Sequence, residues 1–373
     1  MKFICRKQDL LNGVNIVSKA VPNRSTMSIL ECILINTTRD VISLTGNDTE
    51  LGIETIIDGE IVERGIVALE AKTFSDIVRK FPDDDITIDV DQNYKTLISC
   101  GKLVITIIGK SGEEYTYLPD IDKNNSIIMS QMNFRDIIKQ TIFSVADGGE
   151  GSSVQQTTKG ELFEVFGDYM RLSSLDGHRI SIRRLQLRDE YENEKVIVPG
   201  KSLNEISKIV NGGAEDDIEI SFSNNHIMFE FGNTKIVSRL IEGEFFDIDK
   251  MSYSNYETKV TVNRKDFVDS IDRACILVKE GDKKPIVLNI MDDTLTMSIN
   301  SIVGSMNEDI SIEKLGKNLM IAFNPKFMLD ALRVIEDEYI DLYMVNAKAP
   351  CFIKNEEESY IYVVLPVNFT TVQ

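Results

Sequence analysis

The chain has 373 residues, enough for two or three domains, so its length excludes a single small domain. Its composition is 42% apolar and 27% charged with only 8 prolines, which is typical of a soluble globular protein and excludes disordered and collagen-like chains. It carries 41 basic and 60 acidic residues, and the resulting net charge of -19 by itself argues against binding to nucleic acid or to anionic membranes.

The five cysteines are odd in number and widely spaced, so they encode neither a disulfide framework nor a paired metal site. No metal and no cofactor are therefore expected. The first ten residues become charged before a signal-peptide core could form, and no apolar run reaches the roughly 18 residues of a membrane span. We therefore expect a cytoplasmic protein.

Along the chain, three stretches open in the same way, with a strand that leads into a helix. They begin at Met1, Ile127 and Thr258. Acidic residues take equivalent places in these helices: Asp9, Asp136 and Asp266. A second helix follows in each stretch, and a lysine marks its equivalent positions: Lys72, Lys201 and Lys326. Because both series keep nearly the same spacing, we infer three repeats.

Each second helix is followed by a strand of alternating apolar residues, at 84–90, 216–222 and 338–344. This period of two predicts half-buried antiparallel strands. Each repeat contains two halves of about 62 residues, and each half follows the order β-α-β-β-β. The predicted fold is α+β, with three repeated domains that have antiparallel sheets outside and two helices on the inner face. The predicted domains span 1–125, 126–252 and 253–373.

The predicted helices differ in charge from the rest of the chain. Their windows are 7–21, 71–81, 133–144, 200–211, 263–275 and 324–335, and together they carry a net charge of +6, against -25 for the remainder. Lysine and arginine are good helix formers on any solvated face. Repetition in five of the six windows nevertheless favours one weakly basic side on an acidic molecule.

A catalytic site is not indicated. The only histidines are His178 and His226, and no nucleophile motif lies near Asp176 and His178. The segment Gly200-Lys201-Ser202 lacks the preceding glycine-rich turn of a phosphate-binding loop. Paired aspartates precede strands, where solvated turns explain them. A binding or scaffold role is therefore favoured, although an enzyme with an unrecognised site stays open as a minor alternative.

Six short segments in order resemble the bacterial beta sliding clamp family, the processivity subunits of replicative DNA polymerases. They are the opening MKF, the run Ser18-Lys-Ala-Val21 with Arg24 and Ile29-Leu30-Glu31, Leu44-Thr-Gly-Asn-Asp48, Asp176-Gly-His-Arg179, Val196-Ile-Val-Pro199 and the closing Tyr362-Val-Val-Leu-Pro-Val367. The resemblance runs from end to end of the chain. It implies a non-catalytic protein that tethers the polymerase and other replication or repair proteins to DNA.

The resemblance also implies a head-to-tail homodimer whose six domains close a ring, with helices around the central hole. Such interfaces are heterologous but close after one two-fold step. The implied interface residues are Ile105 and Ile107 on one side, and Ile276 and Leu277 on the other.

A ring around duplex DNA is retained by topology, so a weakly basic bore inside an acidic molecule suits sliding without sequence preference. The resemblance assigns DNA contacts to Arg24, Lys72 and Lys201. Helix placement adds Arg79, Lys139, Lys208 and Arg333.

Partner proteins are expected to dock a short peptide in an apolar pocket between the second and third domains. These partners include the polymerase, the clamp loader and repair proteins. The positions that match the pocket are Leu175, Gly177, His178, Arg179, Ile180, Asn324, Phe327, Lys348, Pro350, Val363, Leu365, Pro366 and Val367. For Val363, Leu365 and Val367, ordinary strand core is the alternative reading.

Some positions depart from the family pattern: Gln155, Thr158, Phe246, Asn368 and the closing residues Thr370-Thr-Val-Gln373. The peptide preference of the pocket could therefore differ from that of relatives. The rival to a DNA clamp is an acidic scaffold that binds proteins only, and ring closure on DNA separates the two.

Overall fold

The structure is a computed structural model that describes residues 1–148, 155–251, 255–279 and 284–369. Within these ranges the chain forms six α-helices of 8 to 12 residues. They are α1 (Lys7–Val17), α2 (Ala71–Lys80), α3 (Gln131–Lys139), α4 (Gly200–Ile209), α5 (Arg264–Cys275) and α6 (Pro325–Leu332). All six lie where the sequence predicts helices. Several end earlier than their predicted windows, because the chain after α1 and near α3 tightens into short 3-10 turns at Ser18–Ala20 and Ile142–Ser144.

The strands of the first predicted domain and of the start of the second are β1 (Lys2–Arg6), β2 (Cys32–Asn36), β3 (Ile42–Asn47), β4 (Leu51–Ile57), β5 (Glu60–Glu63), β6 (Ile66–Glu70), β7 (Asp85–Val90), β8 (Lys95–Cys100), β9 (Leu103–Ile108) and β10 (Ser126–Ser130). The others in the second domain are β11 (Gly160–Leu175), β12 (Arg179–Pro199), β13 (Asp217–Phe222), β14 (His226–Phe231) and β15 (Thr234–Arg239). The third domain contains β16 (Thr258–Asn263), β17 (Ile286–Met291), β18 (Thr294–Asn300), β19 (Ser305–Gly316), β20 (Leu319–Phe323), β21 (Tyr339–Met344), β22 (Cys351–Lys354) and β23 (Tyr360–Val364).

These strands form three sheets, and every pairing between the named strands is antiparallel, as the α+β prediction required. The five-stranded sheet has the order β5-β1-β7-β8-β9. The eight-stranded sheet has the order β10-β13-β14-β15-β4-β3-β2-β6. The ten-stranded sheet has the order β11-β12-β23-β22-β21-β16-β19-β18-β17-β20.

The threefold repeat is confirmed by the strand pairing. In each repeat the opening strand pairs with the strand that follows the second helix: β1 with β7, β10 with β13 and β16 with β21. The backbone N–H that opens the first helix donates to the carbonyl before that later strand. These bonds join Lys7 to Asp84 (3.2 Å), Gln131 to Asp216 (2.8 Å) and Arg264 to Glu338 (2.8 Å). Each satisfies one helix donor that has no partner within its own helix.

The order β-α-β-β-β is confirmed in each half, with one variation in the third. There, β11 takes the places of β2 and β3, and β12 takes the places of β4 to β6. The first part of β11 pairs with the end of β12 as β2 pairs with β6, and its second part pairs with the start of β12 as β3 pairs with β4. Gly167, at φ +59°, allows the sharp change of direction between the two parts of β11.

Each helix packs an apolar stripe on a sheet, as its spacing predicts. In α2 the stripe contains Phe74, Ile77 and Val78, and all three are buried. In α4 the stripe contains Leu203, Ile206 and Ile209, which are also buried. The predicted alternating strands bury one face in the same way: Ile86 and Ile88, Ile218 and Ile220, and Ile340 and Leu342. The opposite faces of the helices are left to solvent.

Contacts divide the chain into two compact units, Met1–Phe134 with Lys201–Leu240, and Arg135–Gly200 with Ile241–Gln373. The two halves of the second predicted domain fall in different units, because each half pairs with a strand of a different predicted domain. In the first unit β15 pairs with β4, and in the second unit β12 pairs with β23. The domain limits near 125 and 252 stay a prediction, and the second of them lies outside the described residues.

Across the described ranges, no helix is long and apolar enough to cross a membrane. In the same part of the chain, no three histidine, cysteine or acidic side chains are grouped in a way that could hold a metal ion. All five cysteines are free thiols.

Candidate functional sites

The second helix of each repeat carries two basic side chains seven residues apart, on one exposed face. They are Lys72 and Arg79 on α2, Lys201 and Lys208 on α4, and Lys326 and Arg333 at α6. A spacing of seven residues is two helical turns, so both side chains of a pair lie on the same side of their helix. Lys326 was not predicted to contact DNA, although its equivalence to Lys72 and Lys201 was already visible in the sequence.

Helix caps fix where two of these helices begin. The Glu70 carboxylate accepts hydrogen bonds from the backbone N–H groups of Lys72 (3.2 Å) and Thr73 (2.6 Å) at the start of α2. Burial opposes ionisation of Glu70, but these hydrogen bonds outweigh it and lower the pKa of the carboxyl. The Asn324 side chain accepts from the Lys326 N–H (3.0 Å), and Pro325 follows as the first residue of α6. The caps therefore position the first lysine of these two pairs, Lys72 and Lys326.

Acidic neighbours partly neutralise these cations. The ion pairs are Arg79–Asp76 (3.3 Å), Lys201–Asp48 (3.7 Å), Lys208–Glu205 (2.7 Å) and Arg333–Asp272 (2.6 Å). Each basic side chain in these pairs is about half exposed or more. Surface pairs of this kind contribute roughly 0–1 kcal/mol, so a phosphate could replace the carboxylate at small cost. Three further predicted DNA contacts, Arg24, Lys72 and Lys139, are exposed.

A cavity of about 530 Å³ with polar and apolar lining lies beside α1 and α4 in the first unit. Asn12, Asn15 and Lys19 of the α1 region line one side, and Lys208 and Asn211 line another. Amide and ammonium groups can contact phosphate oxygens without reading bases. The sequence reasoning did not single out the asparagines, because nothing in their spacing distinguishes them from solvated helix positions.

The first unit ends in an apolar sheet edge. Among the described residues, β9 pairs only with β8, so its outer edge has no strand beside it. Ile105 and Ile107 are half-buried, while Val104 and Ile108 are 56% and 72% exposed. An unpaired apolar edge of this kind is a template for another strand.

Among the described residues, the second unit also has a strand edge without a neighbour, on the first part of β19. Residues 305–311 pair with β18 on one side, and pairing with β16 begins only at Ile312. Ile276, which follows α5, is 77% exposed, and Ile302 is 79% exposed. Leu277 is half-buried against the core of the third domain. Of the predicted interface residues, Ile276 is therefore an apolar side chain that is largely exposed to solvent.

The candidate peptide pocket is built where β12 pairs with β23 in the second unit. Ile180 faces Val363 across this pair, and the Leu365 N–H donates to the His178 carbonyl (2.9 Å). Leu365 and Val367 are 40% and 37% exposed and present an apolar surface. Val363 is buried, so it lies beneath that surface as strand core.

Arg179 is a buried side chain whose guanidinium already has its partners. It donates to Asp176 (2.9 Å), to Asp330 (2.6 Å) and to the Phe143 carbonyl. Its guanidinium carbon lies 4.5 Å from the centre of the Phe327 ring, and His178 stacks on the same ring at 5.9 Å. Arg179 therefore holds the walls of the pocket together and is not free to pair with an incoming carboxylate.

The other predicted pocket residues surround this centre. Leu175, Ile180, Phe327, Pro350 and Pro366 are half-buried, and Lys348 is exposed on a turn closed by the Asn346 side chain. Gly177, at φ +86°, makes the turn between β11 and β12.

The positions that depart from the family pattern are also at the surface. Phe246 is 50% exposed, Asn368 is exposed, and the Thr158 hydroxyl donates to the Gln155 carbonyl (2.8 Å). Thr370–Gln373 lie outside the described residues.

Comparison with known proteins gives consistent matches over the whole chain. Family models of the DNA polymerase III beta subunit match its N-terminal domain at 1–119, its central domain at 128–247 and its C-terminal domain at 254–368. A beta sliding clamp of Staphylococcus epidermidis is 32% identical over 378 residues, covering 98% of this chain and 99% of the relative.

Solved structures agree. A DNA polymerase III beta subunit from Eubacterium rectale is 58% identical, with a TM-score of 0.95, and the match covers 99% of this chain and 100% of that one. The DNA polymerase sliding clamp from Bacillus subtilis is 32% identical, with a TM-score of 0.94 and the same coverage.

Proposed function

Because this chain belongs to the DNA polymerase III beta subunit family, the bacterial beta sliding clamps, we propose how its residues perform the work of that family. A beta sliding clamp is a non-catalytic processivity subunit that encircles DNA, slides along it and tethers the replicative polymerase. We propose three clamp domains at 1–125, 126–252 and 253–373, a ring of two copies, and action in the cytoplasm. The three family-model ranges support these limits.

The observation that carries the ring is the way domains join inside the chain. β15 pairs with β4, and β23 pairs with β12. In both joints, the last strand of one domain bonds to β4 of a neighbouring domain or to the part of β12 that takes the place of β4. By the same rule, β9 of one copy pairs with β19 of a second copy, because these are the strands left over. Two such joints close a ring, so no filament grows.

The repeat also predicts the register of this joint. Thr234 faces Thr55 where β15 meets β4. The Lys110 and Ile241 N–H groups donate to the equivalent carbonyls of Ala68 and Ile197, so Thr234 corresponds to Leu103 on β9.

The same reasoning applies to the second strand. Glu54 lies opposite Thr45, as Asn307 lies opposite Ser298, in equivalent hairpins. Thr55 therefore corresponds to Glu308 on β19. Leu103 of one copy then faces Glu308 of the other, and Thr106 faces Ser305. This register brings Ile105 and Ile107 beside a surface that includes Ile276 and Leu277.

The bore is proposed to hold DNA through weak, exchangeable contacts. Arg24, Lys72, Arg79, Lys139, Lys201, Lys208 and Arg333 are the proposed contacts, and the equivalence of Lys326 adds it to them. Their neighbouring carboxylates reduce the net attraction for phosphate, which lowers friction against sliding. The acidic remainder of the molecule does not oppose retention, because a closed ring stays on DNA by topology.

The pocket around Leu365, Val367, Phe327 and His178 is proposed to take a short apolar peptide from the polymerase, the clamp loader or repair proteins. Its exposed apolar side chains rest on a buried, hydrogen-bonded frame centred on Arg179. An apolar anchor in a pre-formed pocket contributes more affinity than exposed polar contacts do.

The experiment that tests the ring is a measurement of solution mass together with small-angle scattering, from micromolar to nanomolar concentration. We expect a dimer of twice 42.1 kDa with the scattering of a hollow ring. A monomer at every concentration would contradict ring closure and favour the alternative of an acidic scaffold that binds proteins only.

A further inference from the structure

We propose that Arg171 and Asp249 are positioning residues for the peptide pocket, because together they hold the segment 244–251 against its floor. We name this segment the second linker. The inference rests on the proposed function of the pocket and adds to it residues that do not touch the peptide. The linker presents Phe246, and the position of its chain determines what that exposed ring can contact.

The apolar side of the second linker forms part of the layer under the pocket. Ile248 is buried with Ile182, Ile361 and Val363 in one cluster. Phe245, Met251 and the pocket residue Ile180 pack against the same cluster. A shift of the linker would therefore be transmitted to Ile180 and Val363, which are directly opposite each other on β12 and β23.

The polar side of the linker is held by one bidentate ion pair. The two terminal nitrogens of Arg171 donate to the two carboxylate oxygens of Asp249, at 2.6 and 3.2 Å. The Arg171 side chain is only 5% exposed, since Glu164 accepts from its Nε (2.8 Å) and the Phe166 ring lies under it at 5.2 Å. Residues of β11 therefore hold the guanidinium in place independently of the second linker.

Asp249 differs from its partner in one useful respect. Its side chain is 69% exposed, so it could remain in water if the pair were broken. The hydrogen bond from Arg171 is the largest influence on this carboxyl, and it lowers the pKa of Asp249 against the opposing effect of burial. Asp249 therefore acts by holding the second linker to Arg171, and its side chain is not part of the buried core.

The sequence of the second linker does not by itself produce this ion pair, as comparison with a first linker around residues 120–123 shows. Both linkers contain Asp-Ile-Asp-Lys, at 120–123 and 247–250. In the first, the equivalent Asp122 accepts hydrogen bonds from the backbone and side chain of Asn124, at 3.1 and 2.7 Å. In the tetrapeptide at 120–123, the second aspartate therefore bonds to a nearby residue of the chain. In the second linker, the equivalent aspartate binds a buried arginine beside the pocket.

The test is peptide affinity, measured by fluorescence anisotropy with a labelled synthetic peptide that carries the clamp-binding segment of the same cell's replicative polymerase. Asp249→Asn is the informative variant, because it keeps the Arg171–Glu164 pair intact. Removing Arg171 would instead leave Glu164 buried with only Lys195 at 3.2 Å, and the variant could fail to fold. Asp247→Asn is the matched control, since Asp247 pairs with the exposed Lys250 in the same linker.

We expect Asp249→Asn to weaken peptide binding at least fivefold, Asp247→Asn to stay within twofold of the wild type, and both to keep the wild-type melting temperature within about 2 °C. Backbone amides of the second linker should exchange hydrogen faster in Asp249→Asn alone.

Unchanged affinity in Asp249→Asn would overturn the inference while leaving the pocket in place. A large fall in melting temperature together with the affinity loss would also overturn it, since that outcome indicates a structural role only. Failure of the wild-type chain to bind the peptide would overturn the proposed pocket and, with it, the inference.

Discussion

Glu161 is a carboxyl side chain in a core position where the other two repeats have isoleucine. It faces Val198 on the neighbouring strand, as Ile33 faces Leu69 in the first repeat and Ile286 faces Phe323 in the third. All three side chains are fully buried. The residue that contacts Glu161 is polar as well: Thr141, just after α3, stands where the first helices of the other repeats have Val14 and Ile271. The second repeat has therefore replaced an apolar contact by a polar one.

Burial favours a neutral Glu161, because only one of its carboxyl oxygens has a hydrogen-bond donor among the described residues. The Thr141 hydroxyl lies 2.9 Å from the Ile137 carbonyl and 2.9 Å from a Glu161 carboxyl oxygen. The Thr141 hydroxyl donates to one Glu161 carboxyl oxygen, and the other oxygen, Oε1, is buried with no hydrogen-bond partner in the part of the chain that the structure describes. Burial agrees with this arrangement and raises the pKa of Glu161 to about 8, although the bond to Thr141 opposes the shift.

Glu161→Gln is predicted to remove a pH dependence of stability. Between about pH 4.5 and 8 the unfolded chain has released this proton and the folded chain has kept it, so the free energy of unfolding falls by about 1.4 kcal/mol per pH unit as the pH rises. Above the folded pKa the loss is complete. Urea unfolding at pH 6 and pH 8 measures the slope, with the exposed Glu113→Gln as control. An equal slope in wild type and Glu161→Gln would contradict a neutral buried Glu161.

Asn324 has two candidate roles that stability measurements can separate. As the cap of α6, its side chain accepts from the Lys326 N–H, and Asn324→Ala should lower the free energy of unfolding by about 1 kcal/mol. Asn324→Asp keeps an acceptor and should retain most of the stability. Chemical denaturation of the three proteins measures both effects. If Asn324 served only peptide binding, all three would unfold at the same denaturant concentration.

At the scale of whole elements, the feature with the largest consequence is two strand edges that have no neighbouring strand among the described residues. They are one edge of β9, which exposes apolar side chains, and one edge of residues 305–311 of β19. Such edges are usually protected by charge, by a bulge or by another strand. The internal joints β15–β4 and β23–β12 repeat one relationship, and this supports the proposed pairing of the two edges between copies. A second copy would pair both edges.

The register of the proposed joint can be tested by cross-linking. Thr106→Cys with Ser305→Cys should form a disulfide between two copies under mild oxidation, because these residues face each other in the predicted pairing. Thr106→Cys with Asn307→Cys is the matched control and should form little, since it is out of register by two residues. Non-reducing gel electrophoresis measures the product. Efficient cross-linking of the control pair alone would contradict the register.

At the scale of the whole molecule, the acidic net charge opposes binding to DNA phosphates, but a closed ring stays on DNA without strong phosphate contacts. The net charge is -19, yet the exposed helix faces repeat basic pairs at equivalent positions. A protein held on DNA by a closed ring needs only weak phosphate contacts, and each additional contact would raise the salt dependence of binding and slow sliding.

Arg24→Ala combined with Lys201→Ala is predicted to reduce loading onto DNA, or retention during processive synthesis, by several-fold. Two phosphate contacts are lost, so binding by the double variant depends less on salt, and its defect relative to the wild type should shrink as salt concentration rises. Processive primer extension on a long single-stranded template measures it, with the exposed Lys95→Ala on β8 as control. Wild-type loading and processivity in the double variant would exclude these two positions from the DNA contacts.

Much of the architecture could be predicted from the sequence because it is encoded in local periods. The threefold repeat, the helix stripe of Phe74, Ile77 and Val78, and the alternation of Ile86 and Ile88 are patterns within one helix or strand, and the structure confirms them. The basic pairs seven residues apart on α2 and α4 were readable for the same reason. A period of 3.6 or 2 already states which side chains share a face.

Other properties were decided only by the tertiary structure, since they depend on residues far apart in the chain. Arg179 is satisfied by Asp176 nearby but also by Asp330, and Lys201 meets Asp48. Val363 was predicted to line the pocket, with strand core as the alternative, and in the folded chain it is buried in one cluster with Ile248. The sequence by itself determined the three repeats, the faces of each element and the family. The folded chain decided which charges are paired, which apolar residues remain exposed and which edges have no neighbour, because those outcomes depend on which distant segments are brought together.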